Sequence, residues 1–215
     1  MATTPPTKRQ EQAMARRRQL IETALHLFSE KGYRGTSVRD IARSAGVNEG
    51  LLYHYFDSKA DLFRAVLDEY APVRAFAAFS RSAASAQPAE NSFDEALRAF
   101  GREFTTRIRE NRTFIVTMLT EAPTDPELAA ILSEFLRATN DDIARFLARY
   151  REVGQINREV SIEAAARVLQ GSLLLPMLTE VLRAPATAAR AGATADADQE
   201  LSDIASVLLT GLAPR

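Results

Sequence analysis

Residues 36–56, TSVRDIARSAGVNEGLLYHYF, constrain the fold more than any other stretch of this chain. Val38, Ile41, Ala42 and Ala45 recur at helical spacing, as do Val47, Leu52 and Phe56. Each run is only about two turns long, too short to persist alone in water. The two must therefore pack against each other and against a longer neighbour. Thr36 or Ser37 can cap the first run and Asn48 the second. Gly46 supplies the positive φ of a tight turn between them. Two short helices joined through a glycine turn are a helix-turn-helix pattern.

The flanks supply the neighbours. Leu20, Ile21, Ala24, Leu25 and Phe28 form one face of a helix over 16–31, and Gly32 ends it. Residues 1–15 are polar, contain Pro5-Pro6 and show no periodicity, so they read as a mobile basic arm. A fourth helix is expected from Ser58 to about Arg81, carrying Leu62, Phe63, Val66, Leu67, Tyr70, Val73 and Phe76. After a loop at 82–91, Phe93 to Ile108 marks a fifth helix and 113–120 a sixth. Asp125-Pro126 opens a long seventh, because proline fits a first helical turn. Gly154-Gln155-Ile156-Asn157 closes it, and Ser161 caps an eighth, in which Pro176 is expected to produce a kink. Residues 184–199 read as a loop, and a ninth helix runs to about Leu212. No strand pattern appears, so the fold class is all-α with about nine helices. The expected division is an arm at 1–15, a helix-turn-helix domain at 16–57 and a larger helical domain at 58–215.

Composition narrows the chemistry. Cysteine is absent, which excludes disulfides, thiolate metal sites and thiol switching. Both histidines, His26 and His54, lie in the first 57 residues, leaving the larger domain without an imidazole ligand for a transition metal. No HExxH, Glu-x-x-His, phosphate-binding glycine loop or nucleophile–base signature occurs. An enzyme, a bound metal and a cofactor are therefore not expected. No apolar run is long enough to span a membrane and no secretory signal is evident, so a cytoplasmic location is expected. The formal charge of −1 is unevenly distributed. Residues 1–60 carry ten Lys/Arg against six Asp/Glu, and the remainder seventeen against twenty-two. A basic head on an acidic body suits contact with a polyanion.

A helix that enters a DNA major groove needs an apolar inner face, a short or polar outer face, and its N-terminus near phosphate. Val47, Leu52 and Phe56 can face inward, leaving Asn48, Glu49, Gly50, Leu51 and His54 outside. Over residues 16–65 the chain resembles the N-terminal domain of TetR-family repressors. The matching features are Ala24, Phe28, Gly32-Tyr33, Thr36-Ser37-Val38, Ile41-Ala42, Ala45-Gly46-Val47, Gly50, Leu52-Tyr53, Phe56 and Ser58-Lys59.

That resemblance implies a homodimer, joined by helices eight and nine, that binds a palindromic operator in double-stranded DNA and is released by a small-molecule effector. Thr36, Tyr53 and Lys59 would hold phosphates. Ser37 and Arg39 would lie near the backbone or groove edge, and Asn48, Glu49, Gly50, Leu51 and His54 would face bases or adjacent phosphates. Glu49 stands where lysine or arginine is frequent; it either accepts from a cytosine amine or is an exposed carboxylate at a helix start. Leu51 replaces a small polar residue and can touch a thymine methyl. His54 is either a phosphate donor or an aromatic filler. The run Arg16-Arg17-Arg18, with Lys8 and Arg9, is either a phosphate contact or a solvated helix start. By the same resemblance, helices four to seven would enclose the effector. The candidate lining is Phe76, Phe100, Phe104, Arg107, Phe114, Met118, Phe135 and Met177, suiting a largely apolar or aromatic ligand. Thr117, Glu121 and Asn140 are further polar candidates. A ligand-independent, architectural DNA-binding protein is the alternative.

Overall fold

The computed structural model describes residues 7–71 and 92–183, together with 203, 207 and 210–212. Those residues form eight α-helices, one 3-10 turn and a helical tail segment, with no strand among them. The helices are α1 (Lys8–Lys31), α2 (Val38–Ser44), α3 (Glu49–Tyr55), α4 (Lys59–Tyr70), α5 (Phe93–Glu110), α6 (Arg112–Glu121), α7 (Pro126–Glu152) and α8 (Ile162–Arg183). The 3-10 turn, Ala122–Thr124, joins α6 to α7. The all-α expectation is met.

Capping explains most boundaries. Ser37 with Asp40, and Ser92 with Glu95, close capping boxes at α2 and α5. Asn48 Oδ1 accepts from Leu51 N–H at 2.7 Å, Ser58 Oγ from Asp61 N–H at 3.0 Å, and Asp125 caps α7 ahead of Pro126. Each oxygen satisfies an N–H that its helix would otherwise leave unpaired.

Two boundaries depart from expectation. The arm expected at 1–15 is helical from Lys8, since Thr7 and Gln10 form a capping box there. Residues 8–19 are all exposed. A helix that buries no face has no apolar period, yet Ala, Gln, Glu, Met and Arg favour helix on their own. The fourth helix stops at Tyr70 rather than near Arg81, with Ala71 extended at φ −64°, ψ 134°. Pro72 follows, and proline disfavours the helical conformation in the residue before it. Val73, Phe76 and the loops at 82–91 and 184–199 lie outside the described residues, as do most of the ninth helix and the side chains of Pro176 and Met177. The backbone of α8 stays helical past Pro176 to Arg183.

One apolar core runs through the molecule. α1 packs on α2, α4 and α6, while α7 packs on α4 and α8. Phe28, Tyr33, Phe63 and Phe114 meet where the N-terminal helices join the rest, with ring centroids 5.0–5.7 Å apart in each contacting pair. Deeper in the larger domain, Phe93, Phe146 and Tyr150 form a second aromatic group. The turn after α7 is tied down by Gln155, whose Oε1 accepts from Phe93 N–H at 2.6 Å. Asn157 N–H donates to Leu212 O at 2.9 Å, docking the end of the chain on the same turn.

Candidate nucleic-acid interface

The α2–turn–α3 unit is built on three inward residues. Ile41, Leu52 and Phe56 are at most 1% exposed and anchor both short helices to α1 and α4. Gly46 adopts φ 68°, and Val47 N–H donates back to Ala42 O at 2.9 Å, which sets the turn. Gln19 Nε2 donates to Ala45 O at 3.2 Å and ties that turn to α1.

With the inner face occupied, the opposite face projects outward. Ser37, Arg39, Asn48, Glu49, Gly50, Tyr53 and His54 are exposed, and Leu51 and Lys59 are half-buried. Tyr53, a large aromatic, is 50% exposed. Arg39 Nε lies 3.9 Å from Glu49 Oε1, linking the outer faces of α2 and α3. Of the two readings of Glu49, this geometry favours the exposed carboxylate facing an arginine. His54 sits edge-on to Tyr55, with centroids 5.2 Å apart. Asn48 uses its oxygen as a cap and keeps its amide donors. Ser37 engages Asp40, whose carboxyl is held below its ordinary pKa, first by the Ser37 hydroxyl and then by the Ser37 backbone N–H.

Thr36 requires a correction. It is 2% exposed, and its hydroxyl lies 2.7 Å from Gly32 O and 3.1 Å from Leu27 O. The hydroxyl proton is directed at carbonyls inside the fold, so Thr36 shapes the α1–α2 turn and does not face a phosphate. Lys59 is intermediate. Its Nζ donates to Tyr33 O at 3.0 Å and lies 3.9 Å from the Tyr33 ring centroid. An ammonium has three donors, so two remain for an anion at the start of α4. Arg17 was not singled out from its neighbours by sequence reasoning; its guanidinium stacks 5.0 Å from the Phe56 centroid. This holds one cation of the basic run against the recognition unit. Arg18 is turned away instead, toward Glu22 and Glu69.

Two family models match this chain. That of the bacterial regulatory proteins, tetR family, matches residues 20–66, and the tetracyclin repressor-like C-terminal domain matches residues 87–197. The chain belongs to the TetR family. It is accordingly a DNA-binding transcriptional regulator and not an enzyme. Among relatives, it is 29% identical over 161 residues to the HTH-type transcriptional regulator YezE of Bacillus subtilis (strain 168), covering 72% of this chain and 80% of that protein. It is 45% identical over 65 residues to the HTH-type transcriptional repressor KstR2 of Rhodococcus jostii (strain RHA1), covering 30% of this chain and 32% of that one. Its fold matches a TetR-family regulator from Mesorhizobium loti MAFF303099 with a TM-score of 0.69 at 21% identity, over 97% of this chain and 100% of that one.

Of the expected effector residues, Phe100, Phe104, Phe114 and Met118 belong to the buried apolar core and Phe135 packs against it. Phe100 and Phe104 are buried neighbours on α5, with ring centroids 5.7 Å apart. Met118 is buried and Phe135 half-buried. Phe114 also packs on Phe63 at the junction with the N-terminal helices. Arg107 is engaged elsewhere: Nη1 donates to Glu69 O at 2.8 Å and Nε to Glu103 at 2.7 Å, tying α5 to the end of α4. Arg107 thus has a connecting role, and Phe114 touches the N-terminal helices as well as the core of the larger domain. Thr117 Oγ1 donates to Ser29 O at 3.4 Å, and Glu121 accepts from the backbone of Tyr33. Asn140 Oδ1 is buried without a partner, the one such side-chain atom among the described residues. Phe76 and the Met177 side chain lie outside those residues. Among the described residues no helix is long and apolar enough to cross a membrane.

Proposed function

We propose that the protein is a homodimeric repressor that binds a palindromic DNA operator and leaves it when a small, largely apolar effector binds residues 58–215. The observation that carries this reading is the outward face of α2 and α3. Arg39, Asn48, Glu49, Gly50, Leu51, Tyr53 and His54 occupy it, with Ser37 and Lys59 at its margins and Arg17 braced beside it. Tyr53 and Lys59 hold phosphates, while Asn48, Leu51 and His54 meet base edges or adjacent backbone. Repression is the role of the relative KstR2.

A dimer is supported by α8. Val168, Gly171, Leu175 and Leu178 follow one another at helical spacing, and the three larger residues are 48–62% exposed. Val207 on the tail segment is 73% exposed. Covering this stripe with a second copy puts the two recognition helices at a fixed separation, about one DNA turn of 34–36 Å. Phe100, Phe104, Met118 and Phe135 support an apolar effector, with Asn140 as a polar handle. Effector and operator then weaken each other reciprocally.

The test begins with selection of duplexes from a random library by the purified protein. The expected product is a palindrome whose affinity falls steeply with salt, because phosphate contacts release counterions. Tyr53→Ala is expected to lower affinity roughly tenfold with the fold intact, from one hydrogen bond lost on each half-site. Selection of no sequence, or unchanged affinity in Tyr53→Ala, would refute the DNA-facing assignment. Failure of every apolar or aromatic compound in a ligand panel to release the duplex would leave an architectural DNA-binding protein instead.

A further inference from the structure

The turn leaving α1 is gripped by carboxylates from the far side of the chain. Glu121, at the end of α6, presents Oε2 to the backbone N–H of Tyr33 at 2.8 Å and of Arg34 at 3.5 Å. Glu127, in the first turn of α7, accepts from the Tyr33 hydroxyl at 2.8 Å. Arg34 Nε lies 3.8 Å from Asp125 Oδ2, and Thr117 on α6 donates to Ser29 O. Gly32 makes room for this grip. A Cβ there would sit 1.7 Å from Glu121 Oε1, so any side chain would displace the carboxylate.

The same turn holds the recognition unit from its other side. Tyr33 O accepts from Lys59 Nζ, and the ring carries that ammonium on its face. Gly32 O is an acceptor for Thr36, the residue before the α2 cap. The Tyr33 ring also packs edge-on against Phe63 of α4. Burial first, and the bond to Glu127 second, push the Tyr33 hydroxyl above its ordinary pKa, so it remains a donor.

We propose that Glu121 and Glu127 are positioning residues for DNA binding: they clasp the Tyr33-Arg34 turn and so fix the start of α2 and the Lys59 ammonium relative to the effector domain. The proposal rests on the DNA-binding reading and adds a route to it. A shift of the α6–α7 corner would reach both the start of α2 and the start of α4 through this clasp. Backbone donors to a carboxylate suit such a link, since charge-assisted bonds are strong and directional.

The experiment uses the full-length protein and the duplex recovered by library selection. Amide hydrogen exchange at Tyr33 and Arg34 is measured in wild type, Glu121→Ala, Glu121→Gln and Tyr33→Phe, together with duplex affinity. Tyr33→Phe keeps the ring and its stacking, so it reports on the clasp if Glu121→Ala does not fold. The expected results are faster exchange at Tyr33 in Glu121→Ala with α3 protection unchanged, and an affinity loss of about tenfold, which is about 1.4 kcal/mol. Glu121→Gln, which keeps an acceptor oxygen, is expected to recover part of both. Tyr33→Phe is expected to lose affinity severalfold. Wild-type affinity in folded variants, or unchanged Tyr33 exchange in Glu121→Ala, would overturn the proposal alone. Selection of no duplex by wild type would overturn the underlying reading and the proposal with it.

Discussion

Replacing Gly32 with alanine tests how much the α1 exit depends on one missing Cβ. Gly32 sits at φ 75°, ψ 172°, a region essentially reserved for glycine. Forcing an L-residue into it costs about 1–3 kcal/mol. The new Cβ would also lie 1.7 Å from Glu121 Oε1 and 2.6 Å from Cδ, so the carboxylate must leave Tyr33 N–H. Glu121 is only half-buried, which puts that loss at the lower end for a charged acceptor, about 1.5 kcal/mol. The two effects together come to roughly 2.5–4.5 kcal/mol. For a chain of this size that is a fall in Tm of roughly 5–18 °C. Gly46→Ala is the matched control. It also has positive φ, 68°, but its Cβ would meet nothing within 4 Å, so only the backbone cost of about 1–2 kcal/mol applies. The assay is urea and thermal unfolding of both variants, alone and in a Glu121→Ala background. Removing Glu121 first should reduce the Gly32→Ala penalty to its backbone part, because only groups in contact couple this way. Equal penalties for the two glycines, or no coupling to Glu121, would refute the reasoning.

Thr36→Val is expected to destabilise the fold by about 1–3 kcal/mol, since it removes the donor that Gly32 O and Leu27 O face inside the protein. Measured well below the melting transition, its duplex affinity should match wild type; a selective loss of binding would return Thr36 to the phosphate set. Asp40 has a lowered pKa in the folded state, so its stabilisation of the α2 cap is present above the ordinary carboxylate value and lost as pH falls through the lowered one. The protection of the α2 amides, taken relative to the intrinsic exchange rate at each pH, should therefore fall from about pH 4 downward in wild type but not in Asp40→Asn. Leu178→Arg places a charge on the exposed stripe of α8 and should shift sedimentation from dimer to monomer while leaving helical content unchanged; a persisting dimer would place the interface elsewhere.

How much was legible can be followed residue by residue. Asn48, Ser58 and Asp125 cap their helices because a side-chain oxygen meets an N–H two or three residues away, which is local chemistry. Ile41, Leu52 and Phe56 face inward because helical spacing puts them on one side. The outer face of α3 follows from the same spacing by subtraction. The end of α4 was written in Pro72, although the apolar run beyond it pointed to a longer helix. The exposed start of α1 left no period to read; only its capping residues and helix-favouring composition mark it.

The sequence by itself therefore determined most of the helices, the glycine turn and the outward face of α3, because each depends on residues within a turn or two of one another. Only the tertiary structure decided what Thr36, Lys59, Arg107, Phe114 and Glu121 do. Thr36 and Lys59 both carry groups suited to phosphate, yet the packing of α1 against α2 and α4 turns one hydroxyl wholly inward and gives one ammonium a partner in Tyr33. Glu121 and Glu127 lie 88 and 94 residues from the tyrosine they hold. No periodicity spans that distance. Their meeting depends on the way α6 and α7 dock against α1, and that docking is the summed result of an apolar core rather than of any local pattern.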